Sequence, residues 1–200
     1  MSNAVQGEGN QTAGSTSALD VIAPISSRNI VLIGFMGCGK TTVGRILAGR
    51  LGWDFLDTDA LIVQSVGRSI PEIFAEEGEK AFRDHETEVL RSACTRGNRV
   101  ISTGGGVVLR SDNVSILREN ALVVWLTARA EVIVQRTKRD FSSRPLLAKG
   151  ADDPLAHVLT LLGERGPHYQ NAAHVIVDSS DRSPGALAAE VIRKWERQTR

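Results

Sequence analysis

The apolar run Asn29 to Phe35 (NIVLIGF) leads directly into Gly34 to Thr41 (GFMGCGKT). Thr41 to Leu51 then carries apolar residues at Val43, Ile46, Leu47 and Leu51, with Gly52 as a stop. The β-branched run predicts a short strand buried on both faces, and the spacing after it predicts a helix. Strand, glycine-rich turn and helix in that order point to a layered α/β fold, and the rest of the chain repeats the alternation. Further strands are predicted over Asp54 to Asp57, Arg99 to Ser102, Ala121 to Leu126 and His174 to Asp178. Helices are predicted over Asp59 to Val66, from Ile70 onward with Ser69 as cap and Pro71 in the first turn, and over Glu79 to Thr95. Ser111 to Glu119, Ala130 to Lys138, Pro154 to Gly163 and Pro184 to Arg197 complete the helical set. Asp140 to Asp153 reads as irregular.

Ligands of such a sheet sit at the carboxyl ends of its strands. The chemistry-bearing residues gather there: Gly34 to Thr41 after the first strand, Asp57 and Asp59 after the second, Gly104 to Gly106 after the third. Bulk properties narrow the field. A chain of 200 residues with 42% apolar and 24% charged residues suits a single soluble domain. A net charge of +1 gives no reason to expect nucleic acid or a membrane surface as partner. No apolar run approaches the ~20 residues that span a bilayer. Cys38 and Cys94 have no metal-ligand spacing and form no disulfide framework, which suggests a reducing cytoplasm. Residues 1–27 are rich in Gly, Ser, Thr, Asn and Gln and lack the basic residues of a targeting segment, so they read as a disordered tail. The folded domain is expected over 28–200.

Gly34 to Thr41 fits G-x-x-x-x-G-K-[ST] in its required strand-to-helix context. The glycines let consecutive backbone N–H groups face a polyphosphate, and the helix beginning near Lys40 adds a positive dipole end. Lys40 can reach the β and γ phosphates, and the Thr41 hydroxyl can ligate Mg²⁺. Cys38 reads as a small tolerated loop residue rather than a nucleophile. The motif chooses neither ATP over GTP nor transfer over hydrolysis.

Asp57 and Asp59 fall on one side of an extended chain, with Thr58 facing away. One carboxylate can hold water on Mg²⁺ and the other can accept a proton from an alcohol. The alternative for Asp59 is a helix cap. In the helix from Glu79, Glu86 lies on the apolar stripe of Phe82, Val89, Leu90 and Ala93, and Arg83 borders it. Charges there must pair or face a polar ligand. An Arg83–Glu86 ion pair is the structural alternative. The triple glycine Gly104 to Gly106 removes side chains where something approaches the backbone, or else forms a loose turn. Arg136, Arg139, Arg144, Arg165 and Arg182 are scattered through the last third, and Arg144-Pro145-Leu146-Leu147 suits a lid carrying a cation over the phosphates.

Taken together, GFMGCGKTTVGR, DTD, SIPEIF with EGEKAFR, TGGG, RPLL, ERGPHY and DRSPGA, in that order, resemble shikimate kinase from Arg28 to about Trp195. The resemblance implies a three-layer α/β/α P-loop NTPase fold whose five-stranded parallel sheet has the order 2-3-1-4-5, with substrate-binding helices and a lid at about 138–153. It implies ATP-dependent phosphorylation of the 3-hydroxyl of shikimate, with ADP as product, in chorismate and aromatic amino acid biosynthesis. Gly37, Cys38, Gly39, Lys40, Thr41 and Thr42 would bind ATP, with Arg136 and Arg182 flanking the adenine. Thr41 and, through water, Asp57 would serve Mg²⁺. Asp59 would meet the acceptor's hydroxyls, Arg83 and Arg165 its carboxylate, and a backbone amide of Gly104, Gly105 or Gly106, that of Gly105 above all, another hydroxyl. Phe74, Phe82 and Glu86 would line the acceptor pocket. Lys40, Asp59 and Arg144 would be catalytic. No aspartate follows the third strand (ISTGGG), which agrees with the family's lack of a separate Walker-B aspartate. The rival readings are a related small-molecule kinase such as a gluconate kinase, and a non-catalytic nucleotide-binding protein. A monomer is the default assembly.

Overall fold

The computed structural model describes residues 29–138 and 152–198. Five parallel strands form one sheet: β1 (Ile30–Ile33), β2 (Asp54–Asp57), β3 (Arg99–Ser102), β4 (Leu122–Thr127) and β5 (Val175–Asp178). Their order is β2-β3-β1-β4-β5, as the resemblance implies. Ile30 of the central strand lies beside Val100 on one side and Leu122 on the other. At the edges Asp57 is level with Ser102, and Thr127 with Asp178. The carboxyl ends of β2 and β3 therefore reach one line.

The helices are α1 (Lys40–Leu51), α2 (Thr58–Val66), α3 (Ile70–Glu76), α4 (Gly78–Ala93), α5 (Ser111–Asn120), α6 (Ala130–Thr137), α7 (Pro154–Ala172) and α8 (Pro184–Gln198), with a short 3₁₀ turn over Val107–Leu109. Alternation along β1 sorts them into layers. Ile30 and Leu32 pack with Val43 and Leu47 of α1 and with Leu187 and Val191 of α8. Val31 and Ile33 pack on the opposite face with Leu90 of α4, Leu117 of α5, and Tyr169 and Ala172 of α7. A smaller cluster of Ile62, Ile73 and Phe82 joins α2, α3 and α4 beside the sheet. Among the described residues, no helix is long and apolar enough to cross a membrane.

Three differences from the sequence reading have physical causes. β1 ends at Ile33 instead of Phe35, because Gly34 adopts φ +137° and turns the chain off the sheet. An added Cβ at Gly34 would sit 2.3 Å from the Leu126 carbonyl oxygen, so this position needs glycine twice over. α2 begins at Thr58, and its cap is Asp57, whose carboxylate accepts the Ala60 N–H; the capping alternative considered for Asp59 belongs to Asp57. The predicted helix Pro154 to Gly163 runs on to Ala172, straight through Gly166 and Pro167. An interior proline costs about 3 kcal/mol. Burial of Arg165, Tyr169 and Ala172 on the inner face of α7 offsets it. Ser69 caps α3 as predicted, in a reciprocal capping box with Glu72.

Candidate active site

A cavity of about 460 Å³ opens over the carboxyl ends of β1, β2 and β3. Gly37, Gly39, Lys40, Thr41 and Thr42 line one side, and Asp57, Asp59, Ser102 and Gly105 the other. Gly37 and Gly39 take φ +80° and +95°, the conformation that lets the loop curl around an anion. Lys40 is the first residue of α1 and only 9% exposed. Its ammonium spans the loop, donating to the carbonyl oxygens of Gly34 at 2.8 Å and Phe35 at 3.0 Å. Cys38 is buried beneath the loop, its Sγ 3.9 Å from the Lys40 Nζ, which fits a packed loop residue.

The Thr41 hydroxyl donates to Asp57 Oδ2 at 2.9 Å and lies 3.4 Å from Ser102 Oγ. Three hard oxygens that could ligate a cation therefore meet where α1 begins and β2 and β3 end. Ser102 was not singled out from sequence; its signal was its place at the end of β3, level with Asp57.

The triple glycine is a close-packed turn, not a loose one. An added Cβ at Gly104 would lie 2.7 Å from Asp59 Oδ1 and 2.9 Å from Glu86 Oε1. At Gly106 it would lie 2.4 Å from Arg83 Nη1. Between them, the Gly105 carbonyl accepts from Arg165 Nη1 at 3.4 Å. Asp59 from α2, Arg83 from α4 and Arg165 from α7 thus meet at three consecutive residues. The guanidiniums lie over the rings of Phe82 and Phe35 at 5.2 and 5.8 Å, and Phe74 packs on Phe82 with 4.7 Å between centroids.

Arg83 and Glu86 form the ion pair considered from sequence, at 2.8 Å, and Glu79 adds a second contact at 3.2 Å. Glu86 is wholly buried. Burial pushes its carboxyl above the usual range; Arg83 pulls it back, and Asp59 adds to the rise. The sequence alternatives of pairing and ligand contact are therefore not exclusive, since the pair itself flanks the turn.

Asp57 and Asp59 both line the cavity and Thr58 does not. Thr58 is fully buried, and its hydroxyl accepts the Gly104 N–H at 3.2 Å, a role the sequence did not suggest. Tyr169, also missed, donates to the Gly105 carbonyl; its signal was the four-residue spacing from Arg165, visible only if the helix continues through Pro167.

On the far side, Arg136 of α6 donates to the Gly37 carbonyl at 3.3 Å and to those of Ser179 and Ser180 at 2.8 and 3.3 Å. It thereby ties the phosphate loop to the segment after β5. Arg182 follows in that segment but pairs with Glu190 of α8 and is not among the residues lining the cavity. Arg144 and most of the expected lid lie outside the described residues.

The shikimate kinase family profile matches residues 36–196. The chain is 45% identical over 169 residues to the shikimate kinase of Symbiobacterium thermophilum, covering 84% of this chain and 96% of that one. It is 47% identical over 170 residues to that of Moorella thermoacetica, covering 84% and 95%. The solved shikimate kinase from Acinetobacter baumannii in complex with shikimate superposes with a TM-score of 0.80 at 39% identity, over 86% of this chain and 95% of that one. Similarity of this extent, spanning both the phosphate loop and the triple-glycine turn, makes the chain a member of the shikimate kinase family.

Proposed function

We propose that this chain transfers the γ-phosphoryl group of ATP to the 3-hydroxyl of shikimate, giving shikimate 3-phosphate and ADP. One observation carries the division of labour: Asp59, Arg165 and Arg83 converge on Gly104, Gly105 and Gly106, directly beside the phosphate loop. A polyhydroxylated ring acid needs cations for its carboxylate and an acceptor for a hydroxyl proton, and this turn offers both. Arg83 and Arg165 hold the carboxylate, suited to it by planar guanidinium geometry. Asp59 orients the reacting hydroxyl and takes its proton. The Gly105 amide meets a second hydroxyl.

On the nucleotide side, the N–H groups of the loop and the Lys40 ammonium hold the phosphates. Arg136 and Arg182 flank the base, and Arg144 is assigned to the transferred phosphoryl on the sequence RPLL alone. The donor set of Thr41, Asp57 and Ser102 suits Mg²⁺, a hard cation that keeps several waters and takes phosphate oxygens. Thr41 would hold it directly and Asp57 through water. When bound, it would neutralise charge on the β and γ phosphates.

The test is ADP release followed in a coupled assay while shikimate is titrated at saturating ATP and Mg²⁺, with gluconate in a parallel arm. Saturable, shikimate-dependent ADP formation with little hydrolysis when acceptor is omitted is the expected result. Turnover with gluconate, or hydrolysis indifferent to shikimate, would reject the reading.

A further inference from the structure

The Tyr169 hydroxyl donates to the Gly105 carbonyl oxygen at 2.5 Å. Arg165, one turn earlier on α7, reaches the same oxygen at the longer distance of 3.4 Å. Tyr169 is wholly buried, its ring stacked on Trp125 of β4 with 5.5 Å between centroids. On the neighbouring residue, Thr58 of α2 accepts the Gly104 N–H. The turn is thus gripped at two successive residues by two different helices. It also abuts the phosphate loop: an added Cβ at Gly105 would lie 3.7 Å from both Gly34 O and Met36 N.

Core packing alone would be served by phenylalanine. A buried hydroxyl is unfavourable unless bonded, so the bond to Gly105 is what makes tyrosine suitable here. Burial pushes the phenol well above its ordinary range, against the opposing pull of Arg165, and the group stays a donor throughout the working pH range. A trans peptide directs its C=O and N–H oppositely. Fixing the Gly105 carbonyl toward α7 therefore fixes the Gly106 N–H on the side away from α7. It also satisfies an oxygen that otherwise has Arg165 as its remaining side-chain donor.

We propose that Tyr169 is a positioning residue for the acceptor: by occupying the Gly105 carbonyl it sets the peptide planes of the triple-glycine turn and leaves the Arg165 guanidinium available to the acceptor's carboxylate. The proposal rests on the shikimate reading above. Without the hydroxyl, Arg165 is drawn inward to the carbonyl and its hold on the acceptor weakens, while the nucleotide side is untouched.

Tyr169→Phe keeps the ring and its stack and removes one oxygen. In the full chain it is expected to raise KM for shikimate by about fivefold, the equivalent of one net hydrogen bond, with kcat and KM for ATP nearly unchanged. Trp125→Phe is the packing control. It loosens the stack, keeps the hydroxyl bond, and is expected to lower the thermal midpoint without moving KM for shikimate. An unmoved KM for shikimate in Tyr169→Phe, a parallel loss in all kinetic constants, or an equal KM rise in Trp125→Phe would each reduce Tyr169 to core packing and overturn the proposal. Wild-type turnover with shikimate alongside any of these results overturns the proposal alone; wild-type indifference to shikimate overturns the substrate reading and the proposal with it.

Discussion

Asp59→Asn is expected to lower kcat at saturating ATP and shikimate by about 10²–10⁴, the usual contribution of a positioned general base. The substitution preserves size and removes the proton-accepting charge. Asp59 sits in the first turn of α2, two residues after the Asp57 cap, and its Oδ1 lies 2.7 Å from where a Cβ on Gly104 would be. Its position is therefore set by the start of a helix packed beside the Gly104 turn, both of which an asparagine leaves in place. Loss of a carboxylate from the first turn of a helix costs about 0.3–1 kcal/mol, too little to unfold an ordinary domain. Lys40, Thr41 and Asp57 are unaltered, so nucleotide affinity measured by direct titration should hold. Turnover near the wild-type value would remove Asp59 from proton transfer, and a matching loss of nucleotide affinity would make the defect one of folding.

Arg83→Ala carries two effects of different origin. The first is on acceptor binding. A charge-assisted hydrogen bond contributes about 1.5–3 kcal/mol, so KM for shikimate should rise by about 10–100-fold. The second is on stability. Arg83 is 8% exposed, and its partner Glu86 is completely enclosed. Removing one member of a buried pair costs about 3–5 kcal/mol because the other charge is left without compensation. Here the loss should fall toward the lower end, since burial already raises the Glu86 carboxyl and it takes up a proton once Arg83 is gone. Arg83→Ala combined with Glu86→Gln separates the two. The pair of changes should regain much of the thermal midpoint and none of the acceptor binding. Recovery of shikimate affinity in the double variant would mean that Arg83 acts only by holding Glu86.

The sheet was readable because its strands are short, all but β2 carry β-branched apolar residues, and their alternation with helices leaves few arrangements. The phosphate loop was readable because its residues are contiguous. Pairing between Arg83 and Glu86 was visible as an option because both belong to one helix. What escaped were the contacts between elements. Thr58 was given no role beyond facing away from the two aspartates, whereas α2 begins at that residue and turns its hydroxyl onto Gly104. Tyr169 escaped because the predicted helix ended at Gly163, and the tertiary burial that carries α7 onward is not a local property of the sequence. Ser102 became meaningful only when the register set it beside Asp57. Arg182 was legible only through its motif, and its pairing with Glu190 of α8 was not.

The central claim is that a carboxylate on the acceptor is recognised by Arg83 and Arg165 across the triple-glycine turn. Comparing kcat/KM for shikimate with that for its uncharged carboxamide tests this most directly. Two charge-assisted contacts predict a preference for the acid of about 10²-fold or more in the wild-type chain. The same preference should shrink steeply in Arg83→Ala. Equal use of acid and amide by the wild-type chain would contradict the account.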